Sequence, residues 1–340
     1  MNNNVVISGI DKISEKRGVG RYVQALKIVI EQLQINNKKI FINPFFNLSG
    51  SAINKSPDKA TDYSIAVIHD IISIKNRKRF PLGPLGKLKN ILNFRNLKKY
   101  NLIVTDSQAS AINIANYLKF SRENVKVAYP FSTLTSQIQK TKRPKNLPPE
   151  ILKNGFALYV GDVNWHKNIA TLAKATVEAN IPLLCVGKAF EMLRSNFPKH
   201  KELEELGHFK NIWEANRNHI HILGYVEESE LGWLYENALV NMLISRDEGF
   251  GYSYVEAGIF GTPSILSDIA IFREISDSKG ALFVNQDSVE SIKNAIIEFK
   301  NSPEMRNSSG KDAKIRSLLF SEENFARSWR KIIQGANLIS

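Results

Sequence analysis

The sequence is poor in cysteine and in long apolar runs. Cys185 is the only cysteine in 340 residues, so an internal disulfide and a cysteine-based metal cluster are excluded, and its apolar surroundings predict a buried strand residue. No apolar run approaches the roughly 18–20 residues that cross a bilayer. The N-terminus also lacks the basic region and apolar core of a secretory signal. We therefore expect a cytoplasmic protein, attached at most to the inner face of the cell membrane.

Acidic residues are absent from one segment, residues 71–105, and basic residues accumulate there. They are Lys75, Arg77, Lys78, Arg79, Lys87, Lys89, Arg95, Lys98 and Lys99. Residues 1–150 carry 25 Lys and Arg against 9 Asp and Glu, a net charge of +16, whereas residues 151–340 carry 21 against 24, a net charge of −3. The net charge of +13 therefore comes entirely from the first half, which predicts an anionic partner on that side of the protein.

Three anionic partners are compatible with such a charge: nucleic acid, a phosphorylated metabolite and a membrane surface. The basic segment has few aromatic residues and contains no recognised nucleic-acid-binding module, so no nucleic acid is expected. Several Lys and Arg side chains acting together can hold a protein at an anionic bilayer. We favour an anionic membrane surface bound through residues 75–99, and a solvated helical face is the alternative.

Short apolar runs alternate with amphipathic stretches along the chain. Strands are expected at residues 5–8, 39–42, 64–68, 102–105, 125–127, 156–160, 183–186, 219–223, 240–243, 264–266 and 281–284. Helices are expected at residues 20–33, 85–100, 109–118 and 322–334, among others. The alternation predicts an α/β protein with two doubly wound domains, separated by the polar, proline-containing segment 137–149 and facing a common cleft. The expected domains are residues 1–145 and 150–320, followed by a terminal helix in residues 321–340 that packs back toward the first domain.

Three glycine-bearing turns follow predicted strands. The first, Gly18-Val-Gly20, opens a helix whose N–H groups can receive an anion, although a plain turn with a helix cap is an equal alternative. The second leads from Gly161 to Lys167, at the start of a helix where a lysine is unfavourable unless an anion lies beside it. No acidic residue ends the second strand, because Asn43 and Pro44 follow Ile42, which argues against a nicotinamide dehydrogenase.

The third turn is the most informative. Glu248-Gly-Phe-Gly251 follows the strand 240–243, and Glu256 lies within the next helix. A buried carboxylate at Glu248 is costly unless it accepts hydrogen bonds, and sugar hydroxyls are suitable donors. Glu256, one to two turns into the helix, could reach a ribose.

The ordered set of motifs resembles glycosyltransferase family 4, the retaining GT-B enzymes also called glycosyl transferases group 1. The residues that carry the resemblance span residues 8–284: Gly18-Val-Gly20, Val67-Ile-His-Asp70, Val104-Thr-Asp-Ser107, Tyr159-Val-Gly161, Lys167-Asn168, Leu223-Gly-Tyr-Val226, Glu248-Gly-Phe-Gly251, Glu256-Ala257, Gly261-Thr-Pro263 and Phe272-Arg-Glu274. The resemblance implies an acceptor-binding first domain and a nucleotide-sugar-binding second domain.

The resemblance also implies the site residues. Expected catalytic residues are His69, at the reaction centre, Lys167, which clamps the phosphates, and Glu248, which holds the donor sugar. Expected donor-binding residues are Gly18, Val19, Gly20, Asn164, Tyr225, Val226, Gly249, Phe250, Gly251 and Glu256. The implied reaction is metal-independent retaining transfer of a hexose, with mannose favoured, from a nucleotide diphosphate sugar to a saccharide or lipid-linked acceptor in surface polysaccharide or lipopolysaccharide synthesis. No cofactor is implied, and the absence of an Asp-x-Asp motif accords with an expectation of no metal.

Two positions depart from the family pattern. Asp162 stands where many members have a second basic clamp residue, for which Arg21, Arg246 and His166 are candidates, and Tyr252-Ser253 replaces the usual Leu-Pro. His69 could also be a structural histidine, with Asp70 capping the next element. The alternatives to a glycosyltransferase are an epimerase-like or phosphorylase-like GT-B enzyme, and a basic nucleic-acid- or membrane-binding protein without catalysis.

Overall fold

The computed structural model describes residues 4–8, 18–33, 35–132, 134, 141–194 and 201–338. The chain divides into two α/β units, one formed by Met1–Phe131 with Phe320–Ser340 and the other by Ser132–Leu319. The division precedes the predicted boundary at 145–150. The reason is that the described part of the polar segment packs on the second unit, where Leu147 is buried and the Arg143 guanidinium lies 5.1 Å from the ring centre of Trp233.

The first unit is built on a parallel sheet of five strands in the order β1-β2-β3-β4-β5. The strands are β1 (Val5–Ile7), β2 (Ile40–Asn43), β3 (Tyr63–Val67), β4 (Leu102–Thr105) and β5 (Val125–Val127). Its helices are α1 (Gly18–Glu31), α2 (Ile72–Lys75), α3 (Pro84–Leu97) and α4 (Gln108–Leu118), joined by α12 (Glu322–Gly335) from the end of the chain.

Both faces of this sheet are covered, because alternate side chains of a strand point to opposite sides. Ile40 and Ile42 of β2 pack with residues of α1 and α12, whereas Phe41 packs with residues of α4 on the other face. The terminal helix contributes a fully buried aromatic side chain, Trp329, to the first of these clusters.

The second unit contains a parallel sheet of six strands in the order β11-β10-β9-β6-β7-β8. The strands are β6 (Ala157–Val160), β7 (Leu183–Val186), β8 (Ile220–Gly224), β9 (Val240–Leu243), β10 (Ser264–Ser267) and β11 (Ala281–Val284). The helices are α5 (Ile169–Glu178), α6 (Glu204–Ala215), α7 (Glu228–Asn237), α8 (Tyr252–Ile259), α9 (Ala270–Ser276), α10 (Val289–Asn301) and α11 (Pro303–Ser317).

Two apolar clusters cover the two faces of the second sheet. Leu183 and Cys185 of β7 belong to one cluster and their neighbours Leu184 and Val186 to the other. The prediction of Cys185 as a buried strand residue is confirmed, and burial raises the pKa of its thiol well above the ordinary value. In the described part of the chain, no helix combines the length and the apolar character needed to cross a membrane.

Candidate active site

The strand order of the second unit reverses between β6 and β9, and the candidate site lies at that point. From β6 the chain proceeds to β7 and β8 on one side, and from β9 to β10 and β11 on the other. The loops after two such strands diverge and leave a crevice outside their carboxyl ends, where open α/β sheets bind ligands. Lys167 follows β6 and Glu248 follows β9, so both lie at this crevice.

The structure brings Lys167 and Glu248 together. The Lys167 Nζ atom donates to both carboxylate oxygens of Glu248, at 2.9 Å to Oε1 and 2.8 Å to Oε2. The Ser245 hydroxyl donates a third hydrogen bond to Oε2 at 3.0 Å. A lysine near the start of a helix is unfavourable unless an anion lies beside it, and the Glu248 carboxylate is that anion.

The electrostatic surroundings keep Glu248 ionised. Burial by itself would raise the pKa of this carboxyl, but the charge of Lys167 and the hydrogen bonds from Lys167 and Ser245 outweigh burial and lower the pKa below its ordinary value. An ionised carboxylate accepts hydrogen bonds and donates none, so Glu248 is suited to hold hydroxyl groups.

Lys167 is the last residue of a short 3-10 turn, Trp165–Lys167, that precedes helix α5. Asn168 joins the two in the left-handed conformation, with a φ angle of 54°. Asparagine tolerates this conformation, and the buried Asn168 amide also donates to the Gln286 carbonyl oxygen at 2.7 Å and accepts from the Thr171 hydroxyl. These bonds fix the direction in which the Lys167 loop leaves the sheet.

A second set of contacts, centred on Arg246, holds the same loop. The Arg246 amide donates to the His166 carbonyl oxygen at 2.7 Å, and Nη1 donates to the Trp165 carbonyl oxygen at 2.6 Å. Nη1 also pairs with the buried Glu205 at 3.2 Å, and Nε lies 3.6 Å from Asp287. Arg246 is therefore a positioning residue for the lysine loop.

His166 and Arg21, the other candidates for a second basic clamp residue, differ in what the structure describes. Burial and the nearby charge of Lys167 lower the pKa of His166 to about 4, so its ring is neutral at neutral pH. A neutral ring adds no positive charge to the site. The side chain of Arg21, like that of Val19, lies outside the described part of the chain.

The turn before α8 has a backbone conformation that requires glycine. Gly251 is the N-cap of α8 and has a φ angle of 98°, in the left-handed region that favours glycine. An added Cβ atom would lie 3.0 Å from side-chain atoms of both Ile275 and Phe272. The buried Phe250 packs edge to face on Tyr252, with ring centres 5.3 Å apart. Because α8 follows β9, its N-terminal end, with its partial positive charge, lies at the carboxyl edge of the second sheet.

We expect Gly251→Ala to lower the free energy of unfolding by about 1–3 kcal/mol, because alanine is strained at this φ angle and crowds Ile275 and Phe272. Gly207→Ala is the matched control: Gly207 lies inside α6, and a Cβ atom there meets nothing within 4 Å. Alanine should stabilise that helix by about 0.4–1 kcal/mol. Urea unfolding of both variants measures the difference, and equal stabilities would contradict the assigned role of Gly251.

Glu256 is held inside the second unit. Its Oε2 atom accepts a hydrogen bond from the Tyr235 hydroxyl at 2.8 Å, and its Oε1 atom lies 3.4 Å from the Ser132 hydroxyl. Burial and the adjacent carboxylate raise the pKa of Tyr235 well above its ordinary value, so Tyr235 stays a donor. The carboxylate is thus fixed in direction. Its contact with a ribose stays a prediction.

The remaining predicted donor-binding residues are distributed as follows. Asn164 is the N-cap of the 3-10 turn that carries Lys167. Tyr225 and Val226 follow β8, where Tyr225 is exposed beneath the Lys188 ammonium and Val226 is buried. In the first unit, Gly18, Val19 and Gly20 form the first turn of α1 rather than a loop before it; residues 9–17 lie outside the described residues.

His69 occupies the carboxyl edge of the first sheet. His69 follows β3, and its ring lies between two groups from the neighbouring strands: Pro44, which follows β2, and Asp106, which follows β4. Nδ1 lies 2.8 Å from an Asp106 carboxylate oxygen, and Nε2 lies 3.2 Å from the Pro44 carbonyl oxygen. Both partners are acceptors, and two acceptors around one ring favour its doubly protonated, imidazolium form. Asp70 accepts from the Ile72 amide at the start of α2, as a capping residue does.

A pH titration tests this assignment. Burial alone would lower the pKa of His69, but Asp106 raises it above the ordinary value. The ion pair therefore stabilises the fold fully below about pH 6.5, the unfolded value, and this contribution is lost as pH rises through the folded pKa. In Asp106→Asn, the charge of Asp106 is lost and the pKa of His69 falls. NMR titration of the His69 ring should show a lower midpoint in the variant than in the wild type; identical midpoints would contradict the ion pair.

Sequence reasoning did not identify Ser245, Glu205 and Asp106 as partners of site residues. Asp106 carried a signal because it lies in the motif Val104-Thr-Asp-Ser107, and Ser245 because it lies three residues before Glu248. Glu205 becomes a partner only through the fold, from a position 41 residues away from Arg246. Among the described residues, no group of three or more His, Cys, Asp or Glu side chains is placed to hold a metal ion.

Comparison with known proteins gives a family match and a fold match. The family model described as glycosyl transferases group 1 matches residues 139–316, more than half of the chain. The chain is 28% identical over 213 residues to the O-antigen chain mannosyltransferase RfbU of Salmonella typhimurium, covering 61% of this chain and 53% of that protein. The chain spans about half the length of the curated relatives that it matches first.

Solved structures share the fold at low identity. Sucrose-phosphate synthase from Thermosynechococcus elongatus aligns with a TM-score of 0.66 and 18% identity, covering 94% of this chain and 78% of that chain. HepE from Anabaena, in complex with UDP-glucose, aligns with a TM-score of 0.64 and 16% identity, covering 92% and 82%. The two parallel-sheet units are the Rossmann-like domains of the GT-B fold, as the sequence predicted.

Proposed function

Because the chain belongs to the glycosyl transferases group 1 family, we propose that it transfers a hexose from a nucleotide diphosphate sugar to a saccharide or lipid-linked saccharide. The observation that carries the proposal is the Lys167–Glu248 pair at the switch point of the second sheet. A nucleotide sugar presents phosphate groups, which the Lys167 ammonium can bind, and hydroxyl groups, which the Glu248 carboxylate can bind.

In the proposed reaction, the Lys167 ammonium binds the diphosphate, and the positive end of α8 adds to this attraction. Glu248 accepts hydrogen bonds from hydroxyls of the sugar and fixes its orientation, while Glu256 accepts from the ribose. The bond between the sugar C1 and the diphosphate oxygen breaks, and a bond between C1 and the acceptor oxygen forms. The acceptor's proton passes to the leaving diphosphate. The protein contributes position and stabilisation of the negative charge that develops on the leaving group.

Three further properties belong to this proposal. The configuration at C1 is retained, no metal ion takes part, and His69 is a catalytic residue of the transfer. Mannose is the favoured sugar, which is supported by the names of relatives such as the mannosyltransferases RfbU and WbdA. We assign the reaction to surface polysaccharide synthesis at the cytoplasmic side of the cell membrane, where lipid-linked acceptors present their saccharides.

A panel of UDP-, GDP-, ADP- and TDP-sugars tests the proposal. We expect one donor class to raise the melting temperature and to be hydrolysed slowly when no acceptor is present, with the same rate in EDTA. Proton NMR of the released or transferred sugar reports the configuration at C1. The absence of any response to every donor would contradict glycosyl transfer, an epimerised but untransferred sugar would indicate the epimerase alternative, and loss of turnover in EDTA would contradict metal independence.

A further inference from the structure

Helix α3 buries polar side chains beside apolar ones. Leu97 and Phe94 belong to an apolar cluster on the first sheet, but the inward face also carries three asparagines at intervals of three residues, Asn90, Asn93 and Asn96. Asn93 is fully buried and donates to the carbonyl oxygens of Asn47 and Ala52, at 3.2 and 2.8 Å. Asn96 donates to the Asn54 carbonyl oxygen at 3.1 Å, and Asn90 donates to that of Leu48. The helix is therefore attached to the loop at residues 47–54 largely by amide hydrogen bonds.

The outward face of α3 carries apolar residues instead. Leu85, Leu88 and Ile91 are 73%, 55% and 51% exposed, and their spacing of three residues places them along one side of the helix. We call these three residues the α3 ridge. Half or more of each of these side chains is exposed, so the ridge contributes little to the core of the first unit. Exposed apolar side chains grouped in this way mark a binding site.

Basic side chains surround the α3 ridge. Lys87, Arg95 and Lys98 are exposed on or next to α3, and no acidic residue occurs between positions 71 and 105. Within the described residues, Arg77, Lys87 and Lys89 form no ion pair. The surface thus combines exposed apolar side chains with positively charged ones, and the interface of an anionic bilayer can receive both.

A cavity of about 540 Å³ adjoins the same surface. It is lined by Arg77, Pro81, Leu82, Lys87, Asn90 and Ile91. The Arg77 Nη1 atom is buried and has no hydrogen-bond partner among the described residues, while Nη2 donates to the Leu48 carbonyl oxygen at 3.4 Å. A buried guanidinium nitrogen without an acceptor is costly, and a phosphate oxygen would satisfy it. The apolar lining beside the two cations suits a phosphate that is attached to hydrocarbon.

We propose that the α3 ridge inserts into an anionic phospholipid bilayer and that the Arg77–Lys87 cavity binds a lipid phosphate at its surface. The proposal rests on the proposed function in one respect: a lipid-linked acceptor would reach the protein at this same face. An acidic protein partner fits less well, because the ridge and the cavity together match an amphiphile in which each phosphate lies beside hydrocarbon. The long lysine side chains next to the ridge can extend to the headgroups while their methylene groups stay in apolar surroundings.

Vesicle co-sedimentation of the full chain tests the surface. We expect strong binding to vesicles of equal parts phosphatidylglycerol and phosphatidylcholine, and little binding to phosphatidylcholine alone. Leu85→Ser/Leu88→Ser should weaken the partition at least about tenfold. The matched control is Ile112→Ser/Tyr117→Ser, which removes two other half-exposed apolar side chains from α4 in the same unit and should leave binding unchanged.

A second pair of variants tests the cavity. Arg77→Gln/Lys87→Gln should weaken binding to the anionic vesicles about 30-fold, from about 1 kcal/mol for each charge. Lys59→Gln/Lys126→Gln removes two exposed charges elsewhere in the same unit and should weaken it less. Single variants Leu85→Ser and Lys87→Gln should show the same trends, at smaller size, if a double variant fails to fold.

Four outcomes would overturn the proposal: equal binding to neutral and anionic vesicles, ridge or cavity variants that match their controls, binding of inorganic phosphate without binding of vesicles, and saturable capture of an acidic protein in place of vesicles. Donor hydrolysis is measured on the same samples. Because α3 carries none of the proposed site residues, unchanged hydrolysis with lost vesicle binding confines a failure to the membrane surface. If the wild-type chain binds vesicles but hydrolyses no donor, the failure is confined to the proposed function.

Discussion

Glu248→Gln should lower turnover of the nucleotide sugar by about 100- to 1000-fold, the range observed when one preorganised polar group is removed from an active site. The amide keeps the shape of the side chain but loses the charge that pairs with Lys167 and one acceptor site for sugar hydroxyls. Lys167→Ala should have an effect of the same size, because the ammonium that stabilises the leaving diphosphate is lost. Initial rates of donor hydrolysis measure both.

The control for this prediction is an ion pair of the same chemistry outside the crevice. Glu178 on α5 and Lys293 on α10 lie 3.5 Å apart at the surface of the second unit. Glu178→Gln and Lys293→Ala should change hydrolysis less than twofold. In addition, the double variant Lys167→Ala/Glu248→Gln should lose much less than the product of the single effects, because the two groups act as one unit. Full multiplicativity would contradict their coupling.

Arg246→Ala should lower the free energy of unfolding by about 3 kcal/mol, the low end of the range for breaking a buried ion pair. The low end applies because the Arg246 side chain is 22% exposed, whereas its partner Glu205 is 4% exposed. The variant leaves the Glu205 carboxylate buried without its cation and removes the donor to the Trp165 carbonyl oxygen. Urea unfolding measures the loss, and Glu205→Gln/Arg246→Ala should recover part of it.

The comparison for Arg246 is Arg273→Ala in the same unit. Arg273 makes two hydrogen bonds to Asp268, at 2.7 and 2.9 Å, which is the better geometry, but both side chains are exposed. Exposed pairs contribute about 0–1 kcal/mol, so the better-formed pair should be the less important one. The variants should also differ in donor hydrolysis, since only Arg246 holds the loop that carries Lys167. An Arg246→Ala protein with wild-type stability would contradict this account.

Much of the fold could be predicted from the sequence, because apolar periodicity reports buried faces directly. The strands Leu102–Thr105, Val125–Val127, Leu183–Val186, Val240–Leu243 and Ala281–Val284 lie where they were predicted. The unit boundary was predicted less well: polarity and proline identified residues 137–149 as a linker, but Arg143 and Leu147 anchor the described part of it to the second unit.

The site was predictable where residues are close in sequence and not where the fold alone unites them. Lys167 and Glu248 were identified separately, but their contact depends on β6 and β9 being neighbours at the switch point, which no local pattern encodes. The role of Arg246 was equally hidden: a basic residue beside Glu248 suggests a phosphate ligand, whereas the structure turns its side chain to Glu205. The exposure of the α3 ridge also required the structure, since leucines at helical spacing would otherwise indicate a core face.

The most direct measurement of the central claim is an equilibrium titration of the donor that wild type hydrolyses into wild-type, Lys167→Ala and Lys293→Ala protein. In the proposed function, Lys167 binds the diphosphate of a nucleotide sugar at the switch point of the second sheet. We expect Lys293→Ala to bind as wild type does and Lys167→Ala to bind at least about tenfold more weakly, as the loss of one charge-assisted bond to phosphate requires. Equal affinity in all three proteins would contradict the assignment of the site.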